Sequence, residues 1–200
     1  MADNTNTNTT DDVAGSAALE GAPTLGSDAP PGSVPVTVYG SYQSNNAMIV
    51  VGSQTYTPNP PIDNNYWYLV LDLTSLRAVA SVVNNNASQI PTSIQPYVGN
   101  PQYLLIFVTL AIKSNHLPQG ALYSFLHSTG AGDLLQRAEQ IGSQINTGWL
   151  SHLSYILAAT MNPADGSGFE EFRYDDYTML TFQLMPINVD GKTIYAPIRT

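Results

Sequence analysis

Short stretches of alternating hydrophobic and polar residues begin at residue 34 and predict a chain built mainly of β-strands. Residues 36–40 alternate valine or glycine with threonine or tyrosine, which is typical of a strand with one buried face. The stretches 47–51 and 54–57 predict two more short strands. Residues 58–61 are rich in proline, which cannot donate to a strand ladder, so we expect a loop there.

Three later stretches, residues 66–71, 103–110 and 153–159, consist almost entirely of apolar residues. This pattern is typical of central strands that are covered on both faces. Residues 76–83 are expected to return beside the first of these strands after a tight turn at residues 74–75.

The second half of the chain also contains helical patterns. Residues 91–98 predict a short helix, and residues 122–126 carry a helical apolar face. Asp133 and Gln136 have the spacing of a capping box in front of a longer amphipathic helix. Because these helices lie between two apolar strands, we expect those strands to be parallel and joined by a right-handed crossover.

The C-terminal part returns to a strand pattern. Residues 177–185 alternate, and the dipeptide Asp190-Gly191 between two further strand-like stretches predicts a hairpin with a type I′ turn. Together the patterns predict one α+β domain over residues 34–200. We expect a β-β-α sandwich: a strand-rich mixed sheet with two or three short helices and a C-terminal β-hairpin.

Five runs of this sequence, in this order, are similar to a known family. They are VTVYGSYQSNNAMIVVGSQTY, NNYWYLVLDLTSLRAVASVV, YLLIFVTLAI, RAEQIGSQI and LSYILAAT. The chain resembles the interleukin-like EMT inducer (ILEI) domain over about residues 34–165. In that family a buried strand ends in an aspartate, and Asp72 holds that place here. The resemblance implies a β-β-α sandwich without established catalysis, which serves in some members as a carbohydrate- or protein-binding module.

The chain departs from this family at two points. Animal members are typically held by disulfides, whereas this chain has no cysteine, so we do not expect a cytokine role. The glycine-containing approach to the family's central strand is replaced here by residues 64–67. Residues 177–200 lie outside the resemblance.

Charge separates an N-terminal arm from the rest of the chain. Residues 1–33 are of low complexity and contain acidic residues but no lysine or arginine. The acidic residues are Asp3, Asp11, Asp12, Glu20 and Asp28. Such a segment cannot form a core, so we expect an arm that binds protein subunits of the same or a companion chain, adding hydrogen bonds at a sheet edge.

Composition excludes several classes of function. Lysine and arginine number 6 in 200 residues, too few for a phosphate-binding surface, so no nucleic-acid partner is expected. The absence of cysteine excludes thiolate metal sites and thiol nucleophiles. No cofactor and no membrane contact are predicted. The N-terminus has neither the basic nor the apolar region of a classical signal peptide.

Two groups of residues are candidate ligand sites. Trp149, Tyr56 and Asn64 are candidate sugar-binding residues, because an exposed aromatic ring can stack on a sugar. The second group is an acidic loop that would offer carboxylate oxygens to calcium or, as the alternative, would be solvated and partly neutralised by Arg173. Its members are Asp165, Glu170, Glu171 and Asp175. No other metal site is expected, because His116, His127 and His152 lack a ligand spacing.

These observations favour a non-enzymatic structural or interaction subunit, forming homo-oligomers or displayed in or on a larger extracellular or viral-type assembly. The expected location is extracellular or particle-associated, without a classical signal peptide. The first alternative is a carbohydrate-binding, lectin-like module with a glycan partner. The second is an uncharacterised hydrolase, although the sequence contains no grouping of nucleophile, base and orienting residue.

Overall fold

Strands dominate the structure, which is a computed structural model. It describes residues 32–40, 47–145, 152–162, 167–174 and 176–199. For residues 142, 143 and 145, near the end of the second α-helix, only the backbone is described. Within these ranges the chain forms two sheets of antiparallel strands and two α-helices. The predicted strand-rich fold is therefore confirmed at this level.

The five-stranded sheet has the strand order β11-β10-β1-β2-β3. Its strands are β1 (Val34–Gly40), β2 (Met48–Val51), β3 (Gln54–Tyr56), β10 (Thr178–Val189) and β11 (Lys192–Ile198). β10 is 12 residues long, and its pairing with β1 ends at Leu184. Beyond that residue β10 pairs with β11 alone, so the two strands continue as a ribbon, residues 185–196. Asp190 and Gly191 at its tip both have positive φ, as a type I′ turn requires.

The six-stranded sheet contains the three apolar stretches. Its strands are β4 (Asn65–Asp72), β5 (Ala78–Asn84), β6 (Tyr103–Leu110), β7 (Ile112–Lys113), β8 (His152–Thr160) and β9 (Phe169–Tyr174). The order is β5-β4-β6-β8, with β9 on the free side of β8 and β7 paired to the start of β8. The predicted central strands are confirmed, since β4, β6 and β8 are almost fully buried.

Buried side chains of the six-stranded sheet divide between its two faces because successive residues of a strand point in opposite directions. On one face Trp67, Leu69 and Ile106 pack with the inward side chains of the five-stranded sheet. On the other face side chains such as Tyr68 and Phe107 pack with α1 (Gly120–Ser128) and α2 (Asp133–Ile145). The apolar face predicted at residues 122–126 is therefore confirmed as part of α1.

The predicted parallel pair is wrong. β6 and β8 are antiparallel, with Leu104 opposite Thr160 and Val108 opposite Ile156. A single crossover helix would carry the chain to the far end of the sheet. Two helices instead return it to the end where β6 finishes, and there His152 of β8 pairs with Lys113 of β7.

The helix predicted at residues 91–98 is reduced to one 3-10 turn, Gln95–Tyr97. Pro96 has no backbone N–H and disfavours the α conformation of the residue before it, so an α-helix cannot propagate through this segment. No helix among the described residues is long and apolar enough to cross a membrane.

Substitution of Leu71 or Ile106 by aspartate should prevent folding. Both side chains are fully buried, and an unpaired buried charge costs several kcal/mol against a total stability of about 5–15 kcal/mol. Urea unfolding followed by circular dichroism measures the effect. Val98→Asp is the control, because Val98 is 44% exposed and its substitution should change stability by about 0.5 kcal/mol or less. Native-like unfolding of either core variant would contradict a central position for β4 and β6.

Candidate interaction surface

The five-stranded sheet has one buried face and one that the described helices do not cover. Val36, Val38, Leu180 and Phe182 point inward and are buried against the six-stranded sheet. The alternate residues of the same strands must point away from it. Both helices contribute their buried side chains to the cluster on the opposite side of the six-stranded sheet.

Most of these outward positions are apolar, although Thr37, Thr181 and Gln183 lie between the apolar residues at the two ends of the face. We call the outward face the set Tyr39, Met48, Val50, Met179, Met185, Ile187 and Val189. Tyr39 lies opposite Met48 on one side and Met179 on the other, so three large side chains form a row across the sheet. Met179 is 50% exposed, and Ile187 and Val189 are also exposed.

Charge is absent from the strands that form this face. β1, β2 and β10 contain no aspartate, glutamate, lysine or arginine. An antiparallel sheet that uses one face for the core usually presents polar residues on the other. A contiguous exposed apolar patch instead marks a surface that contacts another molecule. The sequence carries a signal for this face, because β1, β2 and β10 have apolar residues at most odd and even positions alike.

Glu170 belongs to a different arrangement, in which it connects α2 to the six-stranded sheet. Its side chain, on β9, is buried and accepts a hydrogen bond from the Tyr155 hydroxyl at 2.5 Å. It also accepts from the backbone N–H groups of Gly132, at 2.8 Å, and Leu135, at 3.3 Å. These N–H groups belong to the start of α2, where an acceptor and a negative charge are both stabilising.

This contact corrects the predicted capping box. α2 begins at Asp133 itself, so Asp133 is a first-turn residue, and the acceptor for this helix end comes from Glu170. Burial, followed by the charge of Glu170 and its hydrogen bond, holds the pKa of Tyr155 well above its usual value. The proton therefore stays on the tyrosine, and the cluster serves to anchor the helix.

The candidate sugar-binding residues have local roles where they are described. Tyr56 packs against the core between the sheets, and its hydroxyl donates to Gln54 Oε1 at 2.5 Å. Asn64 has a φ of 59° and accepts a hydrogen bond from the Lys113 N–H at 3.1 Å, which positions the chain before β4. Trp149 lies outside the described residues, so the sugar site stays a prediction.

The two described acidic candidates, Glu170 and Glu171, have separate partners. Glu171 accepts from Arg199 Nη2 at 2.6 Å and lies 3.9 Å from Arg173 Nη1, while Glu170 is used at α2. Asp165 and Asp175 lie outside the described residues. Within the described ranges no three histidine, aspartate or glutamate side chains are placed to hold a metal ion. A calcium site stays a prediction that the two undescribed aspartates would have to carry.

His116 and the cleft beside β9 can each be assigned structural contacts. His116 stacks on Tyr66, and its Nε2 atom lies 2.8 Å from the carbonyl oxygen of Asn85. A cleft of about 600 Å³ opens where β9 and β11 meet. Its charged lining residue is Arg199, which is already bound to Glu171.

Neither a scan against models of known protein families nor a search of curated proteins finds a match for this chain. The resemblance to the ILEI domain therefore stays a prediction. Interpretation of the function depends on the geometry of the outward face.

The hydrogen bonds by which Glu170 connects α2 to Tyr155, here called the Glu170 anchor, can be tested by unfolding two tyrosine variants. Tyr155→Phe removes a donor to Glu170 and should lower the free energy of unfolding by about 1–3 kcal/mol. Tyr68→Phe is the matched control, because the Tyr68 hydroxyl is buried without a hydrogen-bond partner in the described part of the chain. This control should be neutral or stabilising. Equal effects of the two substitutions on urea unfolding would contradict the anchor.

Alkaline pH should destabilise the fold through its buried tyrosines. Burial raises the pKa of Tyr66, Tyr68 and Tyr155 in the folded chain, whereas an unfolded tyrosine has a pKa of about 10. Their contribution to stability is complete below about pH 10 and is lost as pH rises above it, by up to about 1.4 kcal/mol per pH unit for each group. Melting temperatures measured from pH 8 to pH 12 should decrease above about pH 10. The decrease should be less steep for Tyr155→Phe than for the wild type. A flat profile would contradict the burial of these hydroxyls.

Proposed function

We propose that this protein is a non-enzymatic structural or interaction subunit that binds other protein subunits through the outward face of its five-stranded sheet. The observation that carries the proposal is that β1, β2 and β10 carry mostly apolar residues and no charged residue on a face that the described helices leave uncovered. Protein–protein interfaces are depleted of charged residues at their centres and enriched in methionine and aromatic residues. Tyr39, Met48 and Met179 across adjacent strands match this composition.

The dimensions of the face suit a protein partner. β10 alone extends for about 40 Å at roughly 3.3 Å per residue. The five strands of the sheet, at about 4.8 Å spacing and with their own lengths, give a flat area on the order of 500 Å². A stable interface buries about 800 Å² on each partner, so the face and its protruding side chains can form the central part of such an interface.

We also propose a detailed architecture for the fold and a location for the protein. Two separate buried clusters, one between the sheets and one beneath the helices, support a β-β-α sandwich of the ILEI kind with a C-terminal hairpin. We place the protein in an extracellular or viral-type assembly, where the N-terminal arm makes additional contacts with neighbouring subunits. The acidic, lysine-poor composition supports this setting because it disfavours nucleic acid and anionic membrane surfaces as partners.

Substitutions on the ribbon test the outward face. Ile187→Asp places a charge on the face and should raise the dissociation constant of self-association about tenfold or more, because an unpaired charge would be buried in the contact. Asn188→Asp adds the same charge one residue further on, where the side chain points to the opposite face of the strand. Asn188 Oδ1 accepts from the Gly191 N–H, and an aspartate retains that acceptor.

Sedimentation velocity of the full-length protein over a range of concentrations measures the outcome. The wild type and Asn188→Asp should associate equally, and Ile187→Asp should remain mostly monomeric. A wild type that is monomeric at the highest concentration, or equal association of all three proteins, would overturn the proposal for this face.

A further inference from the structure

The N-terminal arm joins the five-stranded sheet through Gly32, the first residue that the structure describes. Gly32 has a φ of 78°, and Pro31 precedes it in the sequence. Proline followed by glycine with this positive φ is the signature of a type II turn, which here would span residues 30–33 and reverse the direction of the chain. The residues before the turn are therefore directed back along β1, which begins at Val34.

Among the described elements, β1 leaves one free side for a chain that turns back. Within the sheet, β10 pairs with β1 on one side and β2 pairs with it on the other. The inward face of β1 is filled, because Val36 and Val38 are buried against the six-stranded sheet. A chain that reverses direction at Gly32 therefore passes over the outward face.

Proline residues prevent the arm from extending the ribbon as a third strand. A Cβ atom at Gly32 would lie 3.4 Å from Pro186 Cγ, so the turn lies beside the ribbon. Pro30, Pro31 and Pro186 have no N–H to donate, and a strand ladder at this place would lack their hydrogen bonds. The arm is thereby directed to side-chain contacts on the outward face rather than to backbone pairing at the edge of the ribbon.

A buried acceptor lies on the outward side of the sheet where a returning arm would first pass. Gln183 lies opposite Pro35, and its place in the alternation of β10 is outward, yet it is 1% exposed. Its Oε1 atom has no hydrogen-bond partner in the described part of the chain. Buried polar atoms almost always have a partner, so this oxygen is a place for a donor that the described residues do not supply. Pro35 follows the turn by two residues, so a backbone N–H just before the turn is close enough to donate.

The segment before the turn, residues 22–31, has a composition that suits this surface. It reads APTLGSDAPP, and its three prolines favour the polyproline II conformation, in which Pro-rich segments bind surfaces lined by aromatic side chains. Leu25 is its single large apolar residue. In this conformation Leu25 would lie about 16 Å from residue 30, at about 3.1 Å per residue. Tyr39 lies about 20 Å from residue 33 along β1, at about 3.3 Å per residue, so Leu25 can reach Tyr39 and its neighbour Met48.

We propose that residues 22–31 fold back along β1 over the outward face of their own chain, with Leu25 against Tyr39 and Met48, and occupy it until a second subunit displaces them. This inference rests on the proposed function, because it names the regulation of the same face. A tethered segment has an effective concentration on the order of millimolar, so it competes with a dissolved partner. Displacement frees the arm for contacts with neighbouring subunits, and association is thereby coupled to release of the arm.

Intramolecular disulfide trapping tests this contact, because the chain has no cysteine of its own. The full-length double variant Leu25→Cys/Met48→Cys is oxidised mildly at low concentration, and mass spectrometry after alkylation of free thiols measures the fraction of monomers with a closed disulfide. The matched control is Leu25→Cys/Thr193→Cys. Thr193 is exposed, lies nearer than Met48 to Gly32 along the sheet, and is paired with Asn188, which points to the opposite face.

The Met48 variant should close its disulfide at least about fivefold more often than the Thr193 variant, because a disulfide forms only between Cα atoms that approach closely. Equal closure in the two variants would overturn the proposal. Cross-linking of the Met48 variant into dimers alone would also overturn it, since the arm would then occupy the face of another copy.

Sedimentation velocity of full-length variants measures the regulation. Leu25→Asp should lower the dissociation constant of self-association about tenfold, because a charge cannot be buried on the apolar face and the released arm no longer competes for it. Leu19→Asp is the control, since it adds the same charge to the arm outside residues 22–31 and should leave the constant within about threefold of the wild type. Unchanged or weakened association of Leu25→Asp would contradict the competition.

The arm contact and the proposed function fail in different ways. If Leu25→Asp has no effect while Ile187→Asp still weakens association, the arm contact is wrong and the outward face is supported as the subunit interface. If the disulfide between positions 25 and 48 forms while Ile187→Asp has no effect on association, the arm contact is supported and the proposed function of the face is wrong.

Discussion

The burial of β4, β6 and β8 on both faces is the constraint on which the rest of the structure depends. These strands are apolar at odd and even positions alike, so a single covering layer would leave half of their side chains in water. One face is covered by the inward residues of the five-stranded sheet and the other by α1 and α2. Both helices are thereby committed to one side, and this commitment is the reason that neither covers the outward face.

The position of α2 against the six-stranded sheet also determines how the start of this helix is held. α2 starts beside β8 and β9, where its free N–H groups require an acceptor that water cannot easily supply. Glu170 supplies it from β9, and Tyr155 from β8 donates to the same carboxylate. Glu170, which would otherwise be solvated, is thus placed inside the fold. Its sequence neighbour Glu171 points to the opposite face of the strand and pairs with Arg173 and Arg199.

Local patterns could be predicted from the sequence, and long-range relations could not. The strands β4, β6 and β8 and the face of α1 were predictable because they depend on residues within a few positions of one another. The direction of β8 relative to β6 depends on the path that the two helices take between these strands, which periodicity does not specify. The contact of Glu170 with Leu135 spans 35 positions, so the nearby Asp133–Gln136 spacing was the stronger sequence signal. Asn64 suggested a ligand contact in sequence, but its left-handed backbone belongs to the turn before β4, and its side chain accepts from the Lys113 N–H, a long-range contact that the sequence does not reveal.

The scarcity of charge bears directly on association. With 10% charged residues the chain has few groups with which to prevent association, and it places several of them on β9 and β11. The strands β1, β2 and β10, which form the outward face, receive none. A second contact within the same assembly is effectively intramolecular, and linkage of this kind can strengthen binding by about 10²–10⁴-fold. Contacts made by the N-terminal arm while the outward face packs against another copy would therefore give an assembly that depends on both.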